Sequence, residues 1–439
     1  MSMVVKNNMS AVSTLNTLNK NSAALSSSLK KVSSGMKINS AADDASGYAI
    51  SERMRVQIRG LDQANQNTQN GTSMMKVAEG AVSSTVDILK TLKEKVINAA
   101  NDTNTDADRA TIQKELDQSI DQINDNANVT YNGKYLVDGS HNSTVKATTT
   151  AMTNESLQST TVGTTRFCEM ADRNGNSLNI NSMDTVTLSF VKEGKTYSVT
   201  AAATDKLEDL VKNANDVDKG GAANTFKETI GTSSYIGKDI AGDTVHTADE
   251  KNALTIEASG TGVKNQISGI TISVTNTQGQ VQKSANAVLD NFSESIRAQN
   301  TSADNAISLQ VGTKANQSIK VGLTDMRAEA LGLQSSSGAT LQIGTQQQAN
   351  AAVNVLDNAV QKALDQQTTI GSVQSRLSYT SSNLTTASEN VQASESTIRD
   401  ADMAKEMTEY TKNNVLLQAA QSMLAQANQS SSSVLSLLQ

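Results

Sequence analysis

Counting by sevens from Ala349 gives Leu356, Ala363, Ile370, Leu377, Leu384, Val391 and Ile398, so eight successive positions of one series are all apolar. A long helix is the element that sets residues spaced by seven on nearly one line, and such a line needs a second helix to cover it. The interleaved series begins with Val353 and Val360, then turns polar at Gln367, Gln374, Ser381, Ser388 and Glu395. One apolar row beside one half-polar row predicts a coiled-coil-like helix that meets its partner along a narrow seam. Leu356, Ile370, Leu377, Leu384, Val391 and Ile398 are assigned to that seam within the subunit.

The start of the chain offers matching helices. Leu15, Leu18, Leu25, Leu29, Val32 and Met36 fall on a 3-4 heptad pattern in which Ser22 is the one polar member. The pattern stops at Asn39-Ser40-Ala41-Ala42-Asp43-Asp44-Ala45-Ser46-Gly47, where small and acidic residues favour a loop and then a helix start. A second helix is expected from about Tyr48 to Asn101, with Met75, Ala78, Val82, Val86, Leu89 and Val96 along one side. The run Asp102–Asp108 alternates acidic and amide residues like a calcium loop, but Ala107 replaces the turn glycine and Gln113 the bidentate glutamate. It therefore reads as a turn that caps a third helix, whose inner face carries Ile112, Leu116, Ile120, Ile123 and Ala127. Tyr131-Asn132-Gly133-Lys134-Tyr135 then predicts a tight hairpin. The chain contains no proline, so nothing forces a kink in helices of this length.

Between about 140 and 324, Thr, Ser and Gly rise and period-two runs appear. Val186–Phe190 and Tyr197–Val199 flank Lys192-Glu193-Gly194-Lys195 as a hairpin, and Ile270–Val274 and Ile319, Val321, Leu323 alternate again. Short helices are expected near Lys206–Asn215 and Ala285–Arg297. Beyond the long C-terminal helix, Leu416, Leu417, Ala420, Met423, Leu424 and Ala427 form a broad apolar stripe, and Val434-Leu435-Ser436-Leu437-Leu438 closes the sequence. The fold class is thus mainly α, with long coiled-coil-like helices from both chain ends and a β-rich inserted central domain. Helical ends with half-covered seams could continue into neighbouring subunits, and a head-to-tail contact that does not close gives a filament.

Other chemistry finds little footing. Cys168 is the single cysteine, which excludes an internal disulfide, and two histidines, His141 and His246, supply no zinc-binding pattern. There is no phosphate-binding loop, Gly260-Thr261-Gly262 lacks the third glycine of a dinucleotide fingerprint, and no G-x-S-x-G elbow occurs. No catalytic residue, cofactor or metal site is assigned. A net charge of −7 provides no basic footprint for nucleic acid. No apolar run approaches the roughly 20 residues of a membrane span. Met3-Val4-Val5 is too short for the core of a signal peptide, which taken alone suggests a cytoplasmic protein.

Several stretches resemble bacterial flagellin. Val4-Val5-Lys6-Asn7-Asn8-Met9-Ser10-Ala11 is similar to the family's opening. Ser33–Gly47, followed by Ala49-Ile50-Ser51-Glu52-Arg53-Met54, resembles its most specific N-terminal motif. At the other end, Ile398-Arg399-Asp400-Ala401-Asp402-Met403-Ala404, Met423–Gln429 and Val434–Leu438 resemble its C-terminal motifs. Ser430–Ser433 stands where the family often has proline. The likeness covers about 140 residues at the start and about 110 at the end, and none is found in the centre.

The resemblance implies a structural filament subunit, secreted unfolded by the flagellar type III apparatus to the extracellular filament. It implies an N-terminal inner-core polymerisation helix over 1–45 and a helical shaft from 46–139 and 325–398. It also implies a surface-exposed variable domain over 140–324 and a C-terminal inner-core helix over 399–439. Polymerisation is assigned chiefly to 1–40 and 400–439, with Leu15, Leu18, Leu25, Leu29, Val32, Met36, Leu416, Leu417, Ala420, Met423, Leu424 and Ala427 as its seam. Those ends are expected to lack order in a free subunit, because isolated heptad helices are marginal in water.

The implied partners are other subunits, an export chaperone bound through the C-terminal region, and the filament cap and hook-junction proteins. A host Toll-like receptor is implied as well, facing Leu89, Thr91, Glu94, Lys95 and Glu115. Thr91 stands where the family's receptor-binding motif has arginine and Lys95 where it has leucine, so weakened receptor signalling is expected. Two other readings stay open on the sequence: a hook–filament junction protein, and a secreted adhesin whose strand-rich centre holds a ligand.

Overall fold

The computed structural model describes residues 8–217, 225–227 and 230–436, with side chains to residue 430. Val4–Asn7 of the opening motif, and Leu437 and Leu438 of the closing one, lie outside the described residues. The chain forms two compact units, one of Met1–Thr68, Gln310–Gln317 and Tyr379–Gln439 and the other of Gln69–Leu309 and Ser318–Ser378. It is mainly helical, with a β-rich centre. The helices are α1 (Met9–Ser34), α2 (Ala45–Ala99), α3 (Asp106–Ala127), α4 (Leu207–Val217), α5 (Lys283–Leu289), α6 (Gln346–Arg399) and α7 (Met403–Ser436). No described helix is long and apolar enough to cross a membrane.

In the second unit the heptad reading of α6 becomes packing. Ala349, Leu356, Ala363, Ile370 and Leu377 are buried, as are Met75, Ala78, Val82, Val86, Leu89 and Val96 of α2 and Leu116, Ile120, Ile123 and Ala127 of α3. Ile112 is half-buried. The polar row of α6 has its own use. Gln374 donates to the Glu79 carboxylate at 2.7 Å, and Asp357 pairs with Lys93, so α2 and α6 run antiparallel. The turn before α3 closes with a capping box between Thr105 and Asp108, whose carboxyl is held below its ordinary value first by the Thr105 backbone N–H. Buried Arg109 donates to the carbonyls of Ala99 and Asn101, which satisfies orphan acceptors at the end of α2. The return to helix expected from about 325 comes only at Gln346, and in the structure α3 holds part of the non-helical stretch before it by amide side chains. Gln113 bonds the backbone of Leu341 and Ile343, and Asn124 accepts from the Ala328 N–H.

Strands fill the centre. β1 (Thr130–Tyr131) and β2 (Lys134–Tyr135) form the expected hairpin, with Asn132 and Gly133 at φ 51° and 75°. The remaining strands are β3 (Ala151–Asn154), β4 (Thr185–Lys192), β5 (Lys195–Ala202), β6 (Gly231–Ser233), β7 (Tyr235–Lys238), β8 (Thr244–His246), β9 (Ala253–Glu257), β10 (Ile267–Thr275), β11 (Ser293–Ile296), β12 (Ile307–Gln310) and β13 (Ser318–Val321). Their sheets run β10-β4-β5 and β11-β3-β9-β6, with two-stranded pairs β7-β8 and β12-β13. All pairings in the two larger sheets are antiparallel. The chain's four phenylalanines all lie in this centre. Phe167, Phe190 and Phe226 are buried, with Phe292 packed against the same cluster, and Phe190 meets Phe226 edge-on at 4.9 Å between centroids.

A second expected element is corrected. The helix foreseen over Ala285–Arg297 ends at Leu289, and Ser293–Ile296 becomes β11, paired with β3. Asp290 and Asn291, poor helix formers, stand at the break, and the strand that follows completes a sheet edge.

Replacing Ile370 by Ala is expected to cost about 2–4 kcal/mol, as for other buried aliphatic truncations. Gln374→Ala is expected to cost about 1 kcal/mol, the usual net worth of one hydrogen bond. Urea unfolding of the free subunit followed by circular dichroism checks both values and their order.

Candidate functional site

The two chain ends meet in the first unit, where α1 and α7 pack together. Asn8 caps α1 by accepting from the Ala11 N–H and donates from Nδ2 to the Ala427 carbonyl at 3.1 Å. Farther along, Asn21 Nδ2 donates to the Leu416 carbonyl at 3.2 Å, Asn413 Nδ2 to Ser28 Oγ at 3.0 Å, and Lys31 pairs with Glu406 at 3.8 Å. Rising numbers on one helix meet falling numbers on the other, so the pair is antiparallel.

Burial fixes which rows the pair uses. On α1, Leu18, Leu25 and Val32 are half-buried beside Thr14, Asn21 and Ser28, of which Ser28 is buried. On α7, Leu417, Leu424 and Ala427 are half-buried and Ala420 is buried. The row Leu15, Ser22, Leu29 stays in water, with Leu15 at 45 % and Leu29 at 51 % exposure, as do Leu416 at 42 % and Met423 at 63 %. The single seam read from the sequence is thus two faces. α7 covers the small polar row beginning at Thr14, where short side chains allow close approach, rather than the neighbouring row beginning at Leu15. Met9 and Val12 on α1, and Met403, Met407 and Val415 on α7, extend the exposed apolar surface. A shallow groove of about 590 Å³ on α7 is lined by Met407, Thr408, Thr411, Lys412, Val415 and Leu416. In the structure each of these two helices packs against the other.

A corner holds the ends in place. Gly35 closes α1 in the left-handed region at φ 71°, and the chain then pairs with the α6–α7 junction. The Lys37 N–H donates to the Arg399 carbonyl at 2.7 Å, the Ala401 N–H to the Gly35 carbonyl at 2.9 Å, and Met36 bridges Asp400. Met36, foreseen as a polymerisation residue, is half-buried here and accepts from Arg399 Nε at its sulfur, 3.2 Å away. Buried Arg399 also donates to Glu52 at 2.7 Å and lies over the Tyr48 ring at 5.4 Å. That hydrogen bond is the main reason the Glu52 carboxyl lies below its ordinary value. Asp43 accepts from the N–H groups of Ser40 and Asn39, which lowers its carboxyl likewise, and Asp44 caps α2 through Ser46 and Gly47. Asp402 does the same for α7 through Ala404 and Lys405. Sequence reasoning found both motifs but not that they touch; an arginine in an otherwise small and acidic turn was the available signal.

Below the corner, Leu61, Ala64 and Leu384 form a small core flanked by Ala387 and Val391. Ile398 is half-buried. The polar row of α6 again meets α2, with Ser381 donating to Asn65 at 2.7 Å, Ser388 to Asp62 at 3.0 Å, and Glu395 pairing with Arg55 at 3.4 Å. The β12–β13 turn lies against α2 here: Asn67 donates to the Gln310 carbonyl, and a Cβ on Gly60 would sit 2.9 Å from Thr313 Cγ2.

In the second unit, the residues proposed to face a receptor divide. Leu89 is fully buried and is removed from that set, because it belongs to the helical core. Thr91, Glu94 and Glu115 are exposed, and Lys95 pairs with Glu115 at 3.0 Å. The same unit holds a polar cavity of about 330 Å³ lined by residues including Ser140, Asn142, Asp325, Arg327 and Lys362. Burial pushes the Lys362 ammonium down to about 8, against the opposing pull of Glu294 and Asp325, and Lys362 donates to the Ala330 carbonyl at 2.7 Å. No cluster of metal-ligating side chains occurs among the described residues.

Antiparallel chain ends that cover one row each and leave another apolar row in water belong to a helical structural protein rather than to an enzyme pocket. The description "bacterial flagellin N-terminal helical region" matches residues 5–142, and "bacterial flagellin C-terminal helical region" matches residues 353–438. A flagellin of Clostridium tyrobutyricum is 33 % identical over 97 % of this chain and 99 % of its own length. One from Bacillus subtilis is 29 % identical over 99 % and 100 %, and flagellin D of Vibrio cholerae 31 % identical over the full length of both chains. The chain belongs to the bacterial flagellin family. It is a structural subunit of the extracellular flagellar filament and serves motility.

Arg399→Ala is expected to raise amide exchange across residues 35–52 by at least about tenfold, since a buried charge partner is lost from a local cooperative unit. The Glu52 carboxyl is depressed in the fold, so its contribution is present above its ordinary value of 4.5 and lost as pH falls through the lower folded value. The variant should therefore lose that acid-dependent step, which exchange at a series of pH values checks. At Lys362 the sign is opposite. Its folded value lies below the ordinary 10.5, so burying the charge destabilises the fold fully below about pH 8, and the penalty fades as pH rises to 10.5. Stability of the parent relative to Lys362→Met should increase over that window in urea unfolding.

Proposed function

We propose that subunits join through the exposed rows beside the α1/α7 seam: Leu15 and Leu29 with Met9 and Val12 on α1, and Leu416 and Met423 with Met403, Met407 and Val415 on α7. What supports this reading is that pairing the ends leaves a second apolar row in water on each helix. Leu18, Leu25 and Val32, with Leu417, Ala420, Leu424 and Ala427, instead act within the subunit and fix the angle at which those rows are presented. The rows lie on different faces of two helices, which suits a head-to-tail contact that propagates rather than closing into a dimer.

In this reading 1–45 and 399–439 form the inner core, 46–139 and 325–398 the shaft, and 140–324 the domain that faces the medium. The subunit is exported unfolded through the flagellar apparatus and has a mechanical rather than catalytic role. Its C-terminal stripe is covered before assembly by an export chaperone, and the cap and hook-junction proteins meet the same rows at the filament's two ends. Thr91, Glu94, Lys95 and Glu115 form the receptor-facing set. Thr91 offers a single short hydroxyl, already bonded to the Asp87 carbonyl, in place of a guanidinium, so signalling is weakened.

Leu15→Asp combined with Leu29→Asp should abolish filaments while leaving the melting temperature of the free subunit nearly unchanged. Each leucine withheld from a fully dry contact forfeits about 1.5–3 kcal/mol. Sedimentation and negative-stain electron microscopy read the outcome, and filaments of parental yield would overturn the assignment. Thr91→Arg should raise potency in a receptor reporter-cell assay; an unchanged dose response would remove the receptor-facing set.

A further inference from the structure

We propose that the exposed methionines Met9, Met403, Met407 and Met423 are oxidation-sensitive modification sites that switch off assembly of the free subunit. The inference rests on the reading of the exposed rows as assembly surfaces.

Methionine is distributed unevenly between interior and surface. Among the described residues, Met74, Met75, Met152, Met170 and Met326 are buried, and Met36 and Met54 are half-buried. Met9, Met183, Met403, Met407 and Met423 are exposed, and four of these five lie on α1 and α7. The same two helices also expose Val12, Leu15, Leu29, Val415 and Leu416, which are chemically inert to mild oxidants. Met407 also lines the groove on α7 beside Val415 and Leu416.

The reagent class is a two-electron oxygen-atom donor such as hydrogen peroxide or hypochlorous acid. With peroxide, the thioether sulfur attacks one oxygen, the O–O bond breaks and an S–O bond forms. Sulfur is oxidised by two electrons, peroxide is reduced to water, and no proton is consumed overall. The product side chain carries a strong acceptor that must keep a hydrogen-bond partner. On a row that has to leave water between subunits, it leaves an acceptor buried without one. Once filaments form, the same sulfurs are covered, so the switch acts before assembly.

The test uses the full-length subunit treated with graded hydrogen peroxide, with sulfoxides mapped by peptide mass spectrometry and assembly read by sedimentation. Oxidation of the four sulfurs should raise the critical concentration at least about tenfold. Treatment with methionine sulfoxide reductases A and B should restore it, and preformed filaments should oxidise more slowly at these positions. The combined variant Met9→Leu, Met403→Leu, Met407→Leu and Met423→Leu should assemble and keep assembling after treatment, whereas Met183→Leu should behave as the parent. If the combined variant does not assemble untreated, the pairs Met9→Leu with Met423→Leu and Met403→Leu with Met407→Leu are read in its place, each expected to retain part of the resistance. Unchanged assembly of parent protein oxidised at all four positions, or equal sensitivity of the leucine variants, would overturn the proposal. Either result leaves the assembly surface standing if the Leu15→Asp, Leu29→Asp variant still fails to polymerise.

Discussion

The structure depends on helices from opposite ends of the chain lying antiparallel, with polar side chains setting the register. In a purely apolar seam, leucines and valines can slide by a heptad at modest cost, because one hydrophobic contact resembles the next. Here four members of the polar row of α6 are matched to particular partners on α2: Gln374 with Glu79, Ser381 with Asn65, Ser388 with Asp62, Glu395 with Arg55. A slip would strand several of these groups at once. Half-exposed bonds of this type add little net stability, so their contribution is specificity while the apolar row supplies the cohesion. The α1/α7 pair repeats the device with Asn8, Asn21 and Asn413.

This arrangement explains the composition. Long helices packed by one apolar row need few bulky residues, and the phenylalanines are gathered in the strand-rich centre, where two sheets and two short helices can bury them. An aromatic side chain in the narrow helical seams would force the helices apart. Alanine at 349, 352, 359 and 363 of α6 is fully or almost fully buried, as expected where backbones approach closely.

Much of this was legible in the sequence, and the exceptions have physical causes. The seam from Leu356 to Ile398, the Asn132-Gly133 and Glu193-Gly194 hairpins, and the cap before α3 all follow from local spacing. Which face of α1 is covered did not, because the rows beginning at Thr14 and Leu15 are neighbours on the helix and the choice belongs to the shape of α7. Counting apolar residues favoured the leucine row, whereas close packing selected the serine and asparagine row. Leu89 was misplaced for a related reason: a motif match carries no record of which side of a helix faces inward. The grip of Gln113 and Asn124 on residues 328–343, and the convergence of Tyr48, Glu52 and Met36 on Arg399, join positions remote in sequence. No window along the chain contains both partners.

The bond from Asn8 to the Ala427 carbonyl spans 419 positions in the sequence. At ordinary translation rates of about 5–20 residues per second, the first helix leaves the ribosome roughly 20–80 seconds before its partner exists. Contacts of such high order cannot nucleate early, since the loop between them must be closed before they return any energy. The amino-terminal seam is therefore among the last parts of the molecule to form. Synthesis itself imposes an interval in which the chain is long, proline-free and still without the partner of its first helix.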